Sequence, residues 1–203
     1  MFIKQTFLAI TLLLIPFWSF AFVASDLEQL KETNNCPRCD LSGADLRFES
    51  LENVNLFNAN LKGANFSSAF LKNANLRSAD LENAVLEKAI LEGADLTGAD
   101  LSAANLTGAN LRLAVMGNVH LTDAVLEGAD LSLTLILNCS CTYANFTRAD
   151  FNSADLSNSD FRHAYFLRAN FKGANFGGVI WAGATWRDGR TCRIESVDEC
   201  LRP

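Results

Sequence analysis

Six cysteines, two histidines and 23 acidic residues are the groups in this 203-residue chain best suited to chemistry. Cys36-Pro-Arg-Cys39 has the spacing of a thiol–disulfide exchange pair, which works when its first thiol sits at a helix N-terminus within a βαβ unit. Four thiols brought together would hold zinc. Asp100 and His120 would form a carboxylate–imidazole pair in a chain that returns on itself every twenty residues. His163 stands apart. The sequence has no Gly-rich phosphate loop, no nucleophile constellation and no metal-ligand spacing, so catalytic, cofactor and metal residues are all expected to be none. Which of these groups meet depends on the elements that carry them.

One pattern carries nearly all of them. From Leu41 to Trp186 every fifth residue is large and apolar except Cys141, thirty positions in unbroken phase, since (186 − 41)/5 + 1 = 30. Eighteen of these are Leu and seven are Phe. Two residues earlier sits a small residue, Ala in 22 of the 29 steps from position 44 to position 184. The slot between them is Asp or Asn in 17 of the same 29. An α-helix turns roughly 140° in five residues, which would spread the large residues all round it. A straight strand would flip faces at every step. Only a chain that turns a corner every five residues buries the whole set on one side. Four corners close a square, so each coil takes about twenty residues and adjacent coils lie about 4.8 Å apart. Thirty steps are 30/4 = 7.5 coils.

ADLTG, ANLTG, ADLEN and ANFKG resemble the pentapeptide-repeat family, over residues 40–186. The resemblance implies an all-β solenoid, a right-handed quadrilateral β-helix of about 7.5 coils. CPRCDLSGADL (residues 36–46) resembles the entry segment of exported members, and WRDGRTCRIESVDEC (186–200) a C-terminal closing segment. Glu49 departs from the pattern by occupying a small inward slot. It is expected to escape at the first coil or to pair with Arg47. Residues 132–142 are the weakest stretch of the repeat.

The ends complete the organisation. Residues 1–21, with Lys4 ahead of an apolar run and small residues at Ser19 and Ala21, read as a signal peptide. Export to the periplasm or outside the cell then makes the cysteines candidate disulfides. Residues 22–40 read as an N-terminal cap with a short helix at about 26–33, opened by a Ser25–Glu28 capping box. Residues 187–203 read as a C-terminal cap, with one helical turn at 194–200 and Trp181 and Trp186 plugging the tube beneath it. In a rod, Cys36 and Cys39 lie at one end, Cys192 and Cys200 at the other and Cys139 and Cys141 between, so only local pairs can form. Cys192–Cys200 and Cys36–Cys39 are the expected bridges. Cys139 and Cys141 fill inward slots and read as small buried residues, with a bridge between them as the alternative. The separation excludes a shared zinc site, and no βαβ unit supports exchange chemistry at Cys36.

Residues twenty apart should stack in columns. Glu52, Lys72, Glu92 and Arg112 alternate in sign along one. Leu113 over Leu133, beside Val115 over Leu135, forms an apolar patch on slots that face outward, and Leu137 adjoins it; Phe70 over Ile90 is a smaller pair. The expected function is an exported, non-enzymatic rod that engages an unknown protein or a second copy of itself. It is expected to bind no nucleic acid and to keep no stable membrane insertion after signal cleavage. The family supplies one rival, a DNA-shaped regulator of DNA gyrase, as in cytoplasmic members. The leader and the Lys and Arg interleaved among the acids argue against it.

Overall fold

The computed structural model describes residues 23–193 and residue 200. The leader and the expected helical turn at 194–200 fall outside them, apart from Cys200. Among the described residues one α-helix, α1 (Ala24–Thr33), precedes the repeat. The described residues from 35 to 185 are coil on coil, a β-solenoid, and a closing segment folds back on it through the antiparallel bridge Thr185↔Thr191. Parallel bridges join residues twenty apart, from Asn35↔Asn55 through Asn105↔Val125 to Tyr165↔Thr185. Each five-residue step contributes one such bridge, and four steps close one coil.

The step works because it disposes of all five of its backbone amides. Residues 96–100 show how. Leu96 N–H donates to Val115 C=O in the next coil at 2.8 Å, and Gly98 N–H to Gly117 C=O at 2.8 Å. Asp100 N–H donates to Ala79 C=O in the previous coil at 3.0 Å. Ala99 N–H closes the corner onto Leu96 C=O at 2.9 Å. The fifth amide, Thr97 N–H, finds the Asp95 side-chain oxygen at 3.0 Å. That last bond needs a short side chain with an oxygen, which is why Asp and Asn recur at the slot before the large residue. The same bond recurs at Asp40, Asn60, Asp100, Asn110, Asp130 and Asp150.

Each corner also places its second residue in the left-handed region. Every position from Gly43 to Gly183 in steps of five has positive φ, between 53° and 73°. Gly and Asn take this at little cost and supply many of these corners. Leu113 and Leu133 hold φ of 62° and 60° there without that advantage.

Inside, the Leu and Ala positions are fully buried along most of the tube. Toward the C-terminus the Leu column gives way to rings. Phe146 stacks on Phe166, Phe151 on Phe171 and Phe161 on Trp181, one coil apart, with centroids at 5.2, 5.1 and 5.3 Å. Trp181 is buried, Trp186 half-buried, and they meet edge to face at 4.9 Å.

Some expectations need correction. The helix begins at Ala24, with extended Val23 as its N-cap, and no capping box forms. Val23 N–H donates to Asp40 C=O at 3.1 Å, and the Asp26 carboxylate accepts from Asp40 N–H at 2.8 Å. The helix start is therefore set by docking onto the first coil. Glu49 pairs with Lys31 of α1 at 3.6 Å, because Arg47 is held by Asp45 at 2.6 Å. In the alternating column only Lys72–Glu92 closes, at 3.2 Å, among the ion pairs of the described residues. Lys62 makes the comparable contact on another face, 2.8 Å from Glu82 and 3.2 Å from Asp80, and both hold its pKa above the usual lysine value, Glu82 the more.

The Asp wiring has an acid signature. The Ser157 hydroxyl and amide hold the Asp155 carboxyl below its ordinary value of 3.8. For Asp95, burial pushes the other way, but Thr97 and Arg77 outweigh it and the carboxyl again lies below 3.8. A carboxyl lowered on folding stabilises the fold above its unfolded pKa, and that contribution is lost as pH falls through the lowered folded value. Melting temperature should therefore drop on acidification below about 3.8. Asp155→Asn keeps the oxygen that Ser157 needs, so it should flatten the drop while leaving the neutral-pH melt nearly unchanged. Circular-dichroism melts across the acid range check both, and an unchanged slope in the variant contradicts the assignment.

Candidate interaction surface

The apolar patch expected from the column pattern is built on one outer face and the corner that leads into it. Val115 and Leu135 are bridged directly, one coil apart. Leu113 and Leu133 sit at the preceding corner, stacked through Leu113 N–H to Ser132 C=O at 3.1 Å. The four are 46%, 37%, 40% and 43% exposed in the order Leu113, Val115, Leu133, Leu135. Leu137 is half-buried at the edge. Asp95 lies below Val115 and Asp155 above Leu135 in the same column, so the band is apolar in the middle and acidic at both ends. Phe70 and Ile90 are bridged on the neighbouring face, Phe70 exposed and Ile90 half-buried.

Three local rules of the rod fail together here. Leu113 and Leu133 hold a backbone conformation that Gly or Asn takes more easily. Val115 and Leu135 replace the Asp or Asn that would cap the amides of Gly117 and Leu137. All four expose apolar surface that the coil does not use. None of the three helps the rod stand.

Next to the band, one corner is rebuilt. Thr134 is buried, and its hydroxyl donates to Leu131 C=O at 2.6 Å. In the following corner Cys139 N–H does not return to Ile136 C=O. The buried Ser159 hydroxyl, from the coil above, stands between them, accepting from Cys139 N–H at 3.0 Å and donating to Ile136 C=O at 2.8 Å. Cys139 and Cys141 are joined as a disulfide across the same step. They are therefore not simply small buried residues, although both remain buried. Two inward side chains of one step can approach because no large residue separates them. Cys36–Cys39 and Cys192–Cys200 are also bonded. The last pair anchors the closing segment, whose Cys192 N–H donates to Ala184 C=O at 2.8 Å.

The other groups singled out from sequence do not assemble a site. Asp100 and His120 are bridged neighbours on the surface, and Ser102 rather than His120 supplies the hydrogen bonds to the Asp100 carboxylate. His163 is exposed and stacks on Tyr143 at 4.9 Å. Among the described residues no group of three or more His, Cys, Asp or Glu could hold a metal ion, and no helix is long and apolar enough to cross a membrane. The sequence reading passed over Tyr165 and Leu167, both exposed on another face. The twenty-residue columns would have found them.

Ser159→Ala tests the rebuilt corner. With Cys139 tethered to Cys141, loss of the hydroxyl leaves a buried amide and carbonyl unpaired, and stability should fall by about 1–3 kcal/mol. Denaturant unfolding of the oxidised protein measures it. A change under about 0.5 kcal/mol would mean that the corner simply closes like the others.

The profile for pentapeptide repeats matches in eight copies, over residues 35–73, 69–102, 99–135 and 139–185. Among solved structures, the chain is similar to HetL, a pentapeptide repeat protein involved in heterocyst differentiation regulation from the cyanobacterium Nostoc sp. strain PCC 7120. That similarity is 27% identity over 77% of this chain and 86% of that one, with a TM-score of 0.44. A pentapeptide repeat protein of the Arabidopsis thaliana thylakoid lumen is 36% identical over 51% of this chain and 70% of its own, with a TM-score of 0.46. Full-length QnrB1, a plasmid-mediated fluoroquinolone resistance protein, is 22% identical over 76% of this chain and 75% of its own. Its TM-score of 0.52 reflects a shared fold. No curated protein matches the chain in sequence.

Proposed function

Because the chain belongs to the pentapeptide-repeat family, whose members are in general structural and interaction proteins, we propose that it is an exported rod that engages another protein, or a second copy of itself, through the leucine band. The coil is taken as right-handed, after the family. The observation that carries the proposal is the coincidence at Leu113, Val115, Leu133 and Leu135 of exposed apolar side chains with left-handed leucines and missing Asx caps. A sequence optimised only for the rod would place Asn or Gly at the corners and Asp or Asn beside them. The acidic residues at both ends of the band suit a partner surface with an apolar centre and basic flanks.

The leader at residues 1–21 and the three disulfides support export into an oxidising compartment. The gyrase-regulator reading finds less support. Lys62, Lys72 and Arg77 each pair with a carboxylate on the next coil and interrupt the acidic columns.

Leu113→Asn with Leu133→Asn is the informative double variant. Asn takes the left-handed corner readily and removes the exposed apolar surface. The variant should be no less stable than the parent, and more stable by up to about 1 kcal/mol per site in denaturant unfolding, while losing self-association in sedimentation velocity or capture of its partner from the exported fraction. Retained association together with intact folding contradicts the assignment of the band. Recovery of the full-length tagged protein in the cytoplasm with residues 1–21 attached contradicts export.

A further inference from the structure

We propose that a cleft on the opposite outer face binds an acidic saccharide, a pyranose ring carrying a carboxylate. The cleft has a volume of about 330 Å³ and is lined by Asn145, Thr147, Tyr165, Leu167 and Thr185. These residues span three successive coils, through the bridges Asn145↔Tyr165 and Tyr165↔Thr185. The leucine band runs through the column Val115↔Leu135↔Asp155. The two columns are two steps apart in a four-step coil, so they lie on opposite sides of the rod.

Tyr165 and Leu167 are 48% and 42% exposed and form the apolar floor of the cleft. Tyr165 takes a slot that Asp or Asn fills in most steps, so the amide of Leu167 has no side-chain cap from it. Around this floor the polar groups are left without protein partners. The Asn145 carbonyl oxygen accepts from Thr147 N–H at 3.0 Å, but its amide nitrogen donates to no other residue among those described. The hydroxyls of Thr147, Tyr165 and Thr185 likewise have no partner among the described residues. On other steps the equivalent hydroxyl is turned inward, as in Thr97 and Thr107, each 2.6 Å from its Asx oxygen. An exposed ring encircled by free donors and acceptors matches a pyranose, which has one C–H face and a rim of hydroxyls. The volume is at the low end of small-ligand clefts, about 300–1,000 Å³, which suits one or two sugar rings.

Two arginines that neighbour the lining residues, though not themselves part of the lining, favour an acidic sugar. Arg168 follows Leu167 in the chain, and Arg187 stands one coil above Leu167; Arg168 N–H donates to Arg187 C=O at 3.0 Å. Both residues are exposed, and neither guanidinium is in an ion pair among the described residues. Residues 143–203 carry eight Lys and Arg against seven Asp and Glu, 8 − 7 = +1, whereas residues 23–142 carry eight against sixteen, 8 − 16 = −8. The cleft thus sits in the least acidic third of the chain, beside two arginines unpaired among the described residues. Guanidinium groups recognise carboxylates through paired hydrogen bonds.

Isothermal titration of the oxidised full chain with trigalacturonate tests the proposal, with maltotriose as the uncharged sugar and a short oligothymidylate as the anion without a pyranose. Trigalacturonate should bind, and about tenfold more tightly than either control. Tyr165→Ala should weaken it about tenfold, the loss of one aromatic contact. Arg168→Gln with Arg187→Gln should remove the preference over maltotriose. All three replaced side chains are exposed, so each variant should melt as the parent does. The Leu113→Asn, Leu133→Asn variant should bind the sugar normally, which keeps this site separate from the band. No binding of trigalacturonate, equal binding of the oligothymidylate, or affinity indifferent to Tyr165→Ala overturns the proposal.

Discussion

Five backbone amides per step must find acceptors, and only four of them can do so through the backbone. Two reach the coil above, one the coil below, and one closes the corner. The fifth depends on the side chain two residues earlier, as Thr97 depends on Asp95 and Ser102 on Asp100. Much of the molecule follows from this. The Asx oxygen caps the corner where it is present, and at every corner the left-handed residue turns the chain so that the Ala and Leu slots point inward. The core is then a column of side chains about one strand spacing apart, which lets Leu be replaced by stacked rings near the C-terminus without a change of register.

The architecture was legible because the repeat states the same constraint thirty times. A five-residue period with one large and one small apolar residue admits few folds, and the coil spacing of twenty followed without reference to any relative. What stayed illegible involves contacts outside the period. Glu49 finds Lys31, and the docking of α1 that brings them together is not written in a spacing. The Cys139–Cys141 bond lies beside a corner opened by Ser159, twenty residues away from Cys139, and local sequence there says only that the slots are inward. The column Glu52, Lys72, Glu92, Arg112 suggested three pairs and closes one, because exposed side chains this long gain little from pairing.

The candidate sites were legible to different degrees for the same reason. A residue that breaks the step's own logic is conspicuous, and Leu113, Leu133, Val115 and Leu135 break it twice over, by exposure and by backbone or capping. The cleft breaks it in the same two ways at Tyr165, by exposure and by the missing cap, but its polar rim looks ordinary in sequence. Asn145 and Thr147 read as a normal step, and only the structure shows that the Thr147 hydroxyl is not drawn into the Asx oxygen. A regular solenoid thus sorts its surface into residues that serve the coil and residues that do not, and the second group is where binding can be encoded.

Amide hydrogen exchange, resolved by residue in the free oxidised protein, addresses this division most directly. Amides capped by an Asx oxygen, such as those of Thr97, Thr107, Ser132 and Ser157, should exchange slowly with the rest of the coil. Those of Gly117, Leu137 and Leu167, which follow Val115, Leu135 and Tyr165, should exchange much faster. Equal protection of the two sets would contradict the claim that the fifth amide is held by the side chain, and with it the reading of the uncapped steps as sites released from service to the rod.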